Sequence, residues 1–343
     1  VLQIWYRPGR SLTTLYRVAV EAGSREVVLT TEPTPPSGTV LTDGETRLGA
    51  WIHPRDPFLP GLGVVLDSDG RAKLLRQIGL TGASSAKVRS YRPGRRAVVE
   101  VTAADRRLFA KVVRPSRVGD LQQIHRLADG LVPIPRSLGW SPELGVVLLE
   151  ALPGVPLASS PDRLPSPSAV LELLDALPAH QRTISDRRNR TALHLAILRE
   201  IVPGLSDHLD HLEEAVGGLT TLERRPAHGD FHPGQIMVAN GSVSGLVDID
   251  TLGMGSRADD VANLIAHLHI LAFSDRRFAR FGHEVFTLSA TELNPTDLRH
   301  RVSAALVGYA VGPWTRQAPD WEAEVTRRIA AATQWVTTRR PTP

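Results

Sequence analysis

The segment HGDFHPGQIMVANGSVSGLVDID, residues 228–250, limits the possible folds more than any other stretch of the chain. Asn240-Gly241 lies between two runs of alternating apolar residues, and a type I′ turn needs at both central positions the left-handed backbone that Asn and Gly tolerate. A two-residue reversal sets the register, with Ala239 opposite Ser242, Ile236 opposite Gly245 and Gln235 opposite Leu246. On that register Ile236, Val238, Val243, Val247 and Ile249 form an apolar face predicted to be buried. The opposite face carries Gln235, Met237, Leu246, Asp248 and Asp250. Gln235 and Asp248 become diagonal neighbours with Cβ atoms about 7–8 Å apart, so their oxygen-bearing side chains can converge on one cation. Mg²⁺ takes oxygen ligands at about 2.1 Å and completes its shell with water and substrate phosphates. Asp230, on the loop feeding this face, is placed to accept the proton of a hydroxyl.

Phosphoryl transfer asks for these parts together with a lysine on the nucleotide. Lys73, Lys87 and Lys111 are the only lysines, and Lys111 lies inside the apolar run LFAKVV. A chain that so rarely uses lysine needs a reason to place one there, and Lys111 is the candidate for the nucleotide phosphates.

Two segments repeat one plan. Residues 5–31 read as WYRPGR, SLTTLYRVAV, EAGS and REVVLTT; residues 90–113 read as SYRPGR, RAVVEVTA, ADR and RLFAKVV. Both predict three-stranded meanders punctuated by Pro-Gly and short polar turns, either as a structural duplication or as convergent hairpins. Thr30 falls where the second segment has Lys111, which assigns the nucleotide to the second. Arg95 and Arg96, in the second Pro-Gly turn, are candidates for phosphate contact. Between the meanders lie a Pro-rich connector, TEPTPPSG, and a short helix, RAKLLRQIG. Asp120 with Gln123 reads as a capping box opening a helix whose core stripe is Leu121, Ile124, Leu127 and Leu131. Strands follow at 136–140 and 145–151. Helical patterns dominate from about 168 onward, and the stripes Leu171, Leu174, Leu177 and Leu193, Ile197, Ile201 read as core packing.

At 343 residues, 42% hydrophobic and 22% charged, the chain suits a globular protein of two or three subdomains. Its longest apolar run, 261–273, is broken by His267 and His269, so no membrane partner is expected. The net charge of +4 is spread without a basic stripe, so no nucleic-acid partner is expected either. Zero cysteines and no secretory pattern suit a cytoplasmic protein, and Val1 in place of Met suits a trimmed N-terminus.

The order His228-Gly229-Asp230, Gln235, Asp248, then Gly255 to Asp260-Val261-Ala262, resembles the catalytic signature of the aminoglycoside phosphotransferase and choline kinase-like superfamily. VVLLEALPGVPL, 146–157, resembles that family's hinge. The resemblance spans about residues 86–275. It implies Asp230 as catalytic base, Asp248 as metal ligand, Lys111 on the phosphates, adenine on main-chain groups from Glu150 to Leu152, and Asp260 as a buried brace of the catalytic loop. Gln235 stands where the family commonly has Asn. No glutamate follows Lys111 to pair with it, and no Gly-rich loop precedes it beyond Tyr91–Arg96.

The expected fold is α+β, a bilobal protein-kinase-like arrangement. An appended β-rich module covers 1–85, a nucleotide-binding N-lobe and hinge 86–152, and a helical C-lobe with the substrate pocket 153–343. The expected activity is transfer of the γ-phosphate of ATP or GTP, with Mg²⁺, to a hydroxyl of a small molecule. Asp230 and His228 form the catalytic loop, with His228 read chiefly as its brace. Gln235 and Asp248 hold the metal, and Asp250 is either a second contact or a solvated strand end. His232 reads as a loop residue. A pseudokinase that binds nucleotide or a partner is the alternative, and a metal-dependent hydrolase a weaker one. Three uses are open to residues 1–85: capping the nucleotide lobe, forming a homodimer, or recognising a partner.

Overall fold

The computed structural model describes residues 1–21, 23–33 and 38–337, so the middle of the TEPTPPSG connector and most of the tail TTRRPTP lie outside the described residues. The chain divides into two compact units, Val1–Leu127 with Pro135–Ala151, and Ala128–Ile134 with Leu152–Pro343.

The first unit contains two five-stranded antiparallel sheets. Strands β1 (Gln3–Arg7), β2 (Ser11–Val20), β3 (Gly23–Thr30), β4 (Thr39–Asp43) and β5 (Thr46–Ile52) form the first, in the order β1-β2-β3-β5-β4. Helices α1 (Pro60–Leu66) and α2 (Ser68–Gln77) follow. The second sheet is built from β6 (Ser84–Arg92), β7 (Arg96–Ala103), β8 (Arg106–Val113), β9 (Ser137–Ser141) and β10 (Val146–Glu150), with α3 (Pro115–Ala128) inserted after β8. Its order, β6-β7-β8-β10-β9, copies the first strand for strand. The repeat seen in the sequence therefore extends to a whole five-stranded sheet, of which the meander is the first part.

The two faces of the second sheet are covered differently. Ala97, Val99, Val101, Leu108, Ala110 and Val112 pack against Leu59, Leu62, Val65, Leu74 and Leu75 of the α1–α2 segment. Gly61 is needed there because a Cβ would meet Val146 Cγ2 at 2.4 Å and the Leu144 carbonyl oxygen at 2.5 Å. Val113, Val147 and Leu149 face Val118 and Leu121 of α3. Side chains alternate along a strand, so Lys111 shares the α3 side with Phe109 and Val113.

The α3 helix corrects one expectation. It begins at Pro115, where the missing N–H costs nothing, so Asp120 lies inside it and is not its N-cap. Its buried face is Val118, Leu121, Ile124 and Ala128, while Leu127 is 39% and Leu131 58% exposed.

The second unit is mainly helical. It comprises β11 (Val155–Pro156), α4 (Pro167–Asp175), α5 (Arg187–Ile201), α6 (Ser206–Gly217), β12 (Arg225–Ala227), β13 (Ile236–Ala239), β14 (Ser242–Leu246), β15 (Gly253–Gly255), α7 (Arg257–Leu271), α8 (Arg276–Ser289), α9 (Pro295–Ala310), α10 (Gly312–Thr315) and α11 (Trp321–Thr337). Ser166 caps α4 through Ala169 N–H, and Asn294 caps α9 through Thr296 and Asp297 N–H, each just ahead of a proline at the first helical position. Leu171, Leu174 and Leu177 are buried as expected. In α5 Leu193 is instead 42% exposed, and Leu195 and Leu198 join Ile197 in the core. No helix among the described residues is long and apolar enough to cross a membrane.

Candidate active site

The hairpin turns at Asn240-Gly241, whose φ angles of 52° and 79° are both left-handed. Ala239 faces Ser242, as the turn requires, but the register then slips: Val238 faces Val243, Met237 faces Gly245 and Ile236 faces Leu246. Ser244 is the extra residue, and its hydroxyl donates to the Pro153 carbonyl at 2.7 Å. This bulge reverses the expected parity beyond it. Leu246 turns inward and is fully buried with Ile236, while Val247 is only half-buried. Gly245 suits the slip because a Cβ would meet the Pro133 oxygen at 2.4 Å and Leu152 Cδ1 at 2.6 Å.

Asp248 and Asp250 consequently leave the strand. Asp248 has a left-handed backbone, φ 59° and ψ 43°, and Asp250 lies in the 3-10 turn Ile249–Thr251. The αL conformation, which Asp tolerates better than most residues, swings Asp248 back toward Gln235. Gln235 Nε2 donates at 3.4 Å to Asp248 Oδ2 and at 3.4 Å to Asp230 Oδ2. The three side chains thus converge, by a bulge and a left-handed residue where a plain strand had been expected. Asp250 is held differently, its main-chain oxygen accepting from the Arg182 guanidinium.

The donor set suits a hard cation. Gln235 is 5% exposed, and its Oε1 is buried with no hydrogen-bond partner. A buried, unpartnered amide oxygen costs about 1–3 kcal/mol. Turning that amide over presents the oxygen where two carboxylates already meet, and Mg²⁺ prefers oxygen ligands of this kind.

The loop carrying Asp230 is fastened from below. Asp260, in the first turn of α7, accepts from His228 N–H at 2.6 Å and Gly229 N–H at 2.9 Å. Its full burial pushes the carboxyl up to about 7. His228 is fully buried; Nε2 is 3.3 Å from the Val247 carbonyl, and Nδ1 accepts from Asp230 N–H at 3.3 Å. Burial holds its pKa below the ordinary histidine value, and with both nitrogens engaged it positions the loop. Beside Asp260, Asp259 is gripped by Arg301 Nη1 at 2.7 Å and lies 3.6 Å from Arg187 Nε, tying α7 to α9 and α5.

Three residues of the site were not singled out from the sequence. Asn263 Nδ2 donates to the Phe231 carbonyl at 3.1 Å and reaches Asp230 Oδ1 at 3.5 Å, and Tyr309 donates to Asn263 Oδ1 at 3.0 Å. Asn263 lies three residues after Asp260, on the same helix face, a spacing that could have found it; no local pattern points to Tyr309. His267 stacks between His232, at 4.7 Å, and Tyr309, at 5.0 Å. Burial, followed by repulsion from His232, Arg328 and Arg316, lowers the His267 pKa to about 3.

In the other unit Lys111 is 4% exposed on β8, opposite Val98 and Val147. Glu150 ends β10, its carboxylate 2.9 Å from Arg106 and 3.3 Å from Arg136. Arg95 is not an open turn residue: it donates to Glu32, after the first sheet's β3, at 2.5 Å.

Residues 87–293, more than half of the chain, match the Phosphotransferase enzyme family. No curated protein sequence matches the chain. Among solved structures it is similar to a macrolide 2′-phosphotransferase type I (TM-score 0.52, 16% identity, covering 79% of this chain and 97% of that one). It is similar also to a thermostable mutant of aminoglycoside phosphotransferase APH(4)-Ia in ternary complex with ADP and hygromycin B (TM-score 0.53, 16% identity, 78% and 98% covered). A choline/ethanolamine kinase family protein from Mesorhizobium loti aligns with TM-score 0.55 at 16% identity, over 79% and 95% of the two chains. At this identity the likeness is one of fold, and that fold is the kinase-like one expected from the sequence.

Proposed function

The chain belongs to the Phosphotransferase enzyme family, and from that premise we propose that it moves the γ-phosphate of a nucleotide, with Mg²⁺, onto a hydroxyl of a small molecule. ATP is the favoured donor, because the similar APH(4)-Ia structure holds ADP. The observation that carries the reading is the convergence of Asp230, Gln235 and Asp248, with a buried amide oxygen lacking a partner among them.

Gln235 and Asp248 would hold the metal, which supplies charge neutralisation at the phosphates. Asp230 orients the acceptor hydroxyl and takes its proton, while Asn263 fixes its carboxylate. Lys111 takes the nucleotide phosphates and Glu150 to Leu152 the adenine. In this division of labour residues 1–85 are an appended module, 86–152 the nucleotide lobe and 153–343 the lobe with the acceptor pocket. His232 and His267 form an aromatic pair whose burial disfavours their charged forms, and Arg316 and Arg328 supply positive charge beside His267. That environment favours a sugar, polyol or similar weakly charged metabolite over a polycationic antibiotic.

A pseudokinase is the second reading. It draws on Gln235, whose Nε2–H group bridges both carboxylates.

Turnover with Mg-ATP and Mg-GTP across sugars, aminoglycosides, macrolides and amino alcohols tests the proposal. Asp230→Ala is expected to lower kcat by about 10²–10⁴-fold and leave Mg-nucleotide binding in place, whereas Asp248→Ala weakens that binding as well. Wild-type turnover in both variants overturns the assignment; nucleotide binding with no transfer to any acceptor favours the pseudokinase.

A further inference from the structure

The turn Arg7–Arg10 has no part in the chemistry above, yet the chain repeats it at Arg92–Arg95. Both are Arg-Pro-Gly-Arg turns closed by a 3.0 Å bond, from Arg10 N–H to the Arg7 carbonyl and from Arg95 N–H to the Arg92 carbonyl. Both place glycine at φ 64°, at Gly9 and Gly94, the left-handed third position of a type II turn. The repeat therefore includes not only the strand order but also a device that presents two arginines from a stiff corner.

The two corners meet within the first unit. Arg95 Nη2 lies 2.5 Å and Arg7 Nη1 3.9 Å from the same oxygen of Glu32, and Arg114 Nη2 lies 3.7 Å from its other oxygen. Arg92 lies in the field of Arg7, Arg95 and Arg96, and Arg7 in that of Arg95 and Arg10. Arg114 is positioned in three ways: Nε donates to the Gly94 carbonyl at 2.6 Å, the guanidinium sits 4.3 Å over the Phe58 ring, and its position follows β8 directly. Its Nη2 is nevertheless buried and has no hydrogen-bond acceptor among the described residues. Burial, then repulsion from Arg95, lowers the pKa of both Arg7 and Arg114.

Glu32 thus serves three guanidiniums, with Asp56 as a second carboxylate in the field of Arg114, and like charges are gathered where a simple clasp between sheets would need a single pair. The side chains of Arg7, Arg95 and Arg114 remain 32%, 34% and 30% exposed, so a solute can reach them. Guanidinium forks match the oxygens of a phosphate dianion bidentately. We propose that the two Arg-Pro-Gly-Arg corners jointly form a phosphoryl-group binding site, with Arg7, Arg95 and Arg114 as its donors and Glu32 holding them in place. The group can come from the donor nucleotide or from a separate phosphorylated solute; the recognition chemistry is the same. The site rests on arginine geometry in the first unit and stands whether or not phosphate is transferred at Asp230.

The test is calorimetric titration of the full chain with inorganic phosphate, against chloride at equal ionic strength, followed by Mg-ATP. Wild type is expected to bind phosphate, and Arg7→Gln and Arg114→Gln each to weaken it about tenfold, the worth of one charge-assisted pair. Arg7→Lys, which keeps the charge and loses the fork, should lie between wild type and Arg7→Gln and guards against a folding defect. If Arg7→Gln also weakens Mg-ATP by a similar factor, the nucleotide supplies the group. If Mg-ATP binding is unchanged, a separate solute does. Absence of phosphate binding by wild type, or binding undiminished in both glutamine variants, overturns the proposal.

Discussion

In the first sheet Thr13 on β2 faces Thr30 on β3; in the second, at the matching register of β7 and β8, Val98 faces Lys111. Thr30 is 2% exposed; its hydroxyl shares a 2.7 Å bond with Thr13 and accepts from Glu32 N–H at 3.1 Å. Lys111 is buried almost as deeply, at 4%, but as a cation, and a buried ammonium is tolerated only among groups that pair with it. In the second sheet α3 is inserted between β8 and β9, where the first has only eight residues between β3 and β4. One strand order has thus been kept twice. On the proposed function, the copy with the lysine, the helix and the apolar cover of α1 and α2 is the one that handles the nucleotide, and the copy with the threonine pair is a scaffold.

The comparison breaks most readily at its central pair. Lys111→Ala is expected to lower kcat/KM for Mg-ATP about 10²–10³-fold, by removing a charge from the phosphates in a water-poor site, while Thr30→Val leaves it at the wild-type value. Steady-state kinetics on both variants checks this. Next in size is Leu62→Ala, which opens a cavity beneath the second sheet and should cost about 2–5 kcal/mol in chemical denaturation. Thr30→Val, by contrast, removes two hydrogen bonds of the first sheet, to Thr13 and from Glu32 N–H, and should cost about 1–3 kcal/mol.

The smallest expected effect concerns the polar joint between the copies. Trp51 of the first sheet donates to the Tyr91 hydroxyl at 2.9 Å, Tyr91 donates to Asp56 at 2.8 Å, and Gly94 N–H reaches the same Asp56 oxygen at 2.7 Å. Burial raises the Asp56 pKa above its ordinary value. The native state then holds its proton more tightly than the unfolded chain, so stability falls as pH rises upward from about 4, and the loss ends once the raised folded value is passed. Asp56→Asn should flatten that slope in denaturation curves taken across the range, with little change below it.

The sequence made some of this legible and hid the rest for physical reasons. The repeat, the Asn240-Gly241 reversal and the order from His228 to Asp260 are local, and local patterns survive folding. The bulge at Ser244 is not, because period-two alternation carries no mark for an inserted residue; the expected register failed there, and with it the inward and outward assignment of Leu246 and Val247. Asp248 still reached Gln235 because its left-handed backbone undid part of the slip. Helix α3 starts at Pro115, ahead of the Asp120 that had looked like its cap, since the proline at its start could be read equally as a stop. The clasp of Asp259 by Arg301 and the reach of Tyr309 to Asn263 join residues 42 and 46 positions apart, and no spacing rule sees that far.

Titration of the full chain with Mg-ATP, set beside the same titration of Lys111→Ala, Asp248→Ala and Thr30→Val, bears most directly on the claim that the chain is a nucleotide-dependent phosphotransferase. The account predicts a single nucleotide bound per wild-type chain, binding strongly weakened in the first two variants and unchanged in the third. Binding that survives both Lys111→Ala and Asp248→Ala, or that is lost in Thr30→Val with the fold intact, would contradict it.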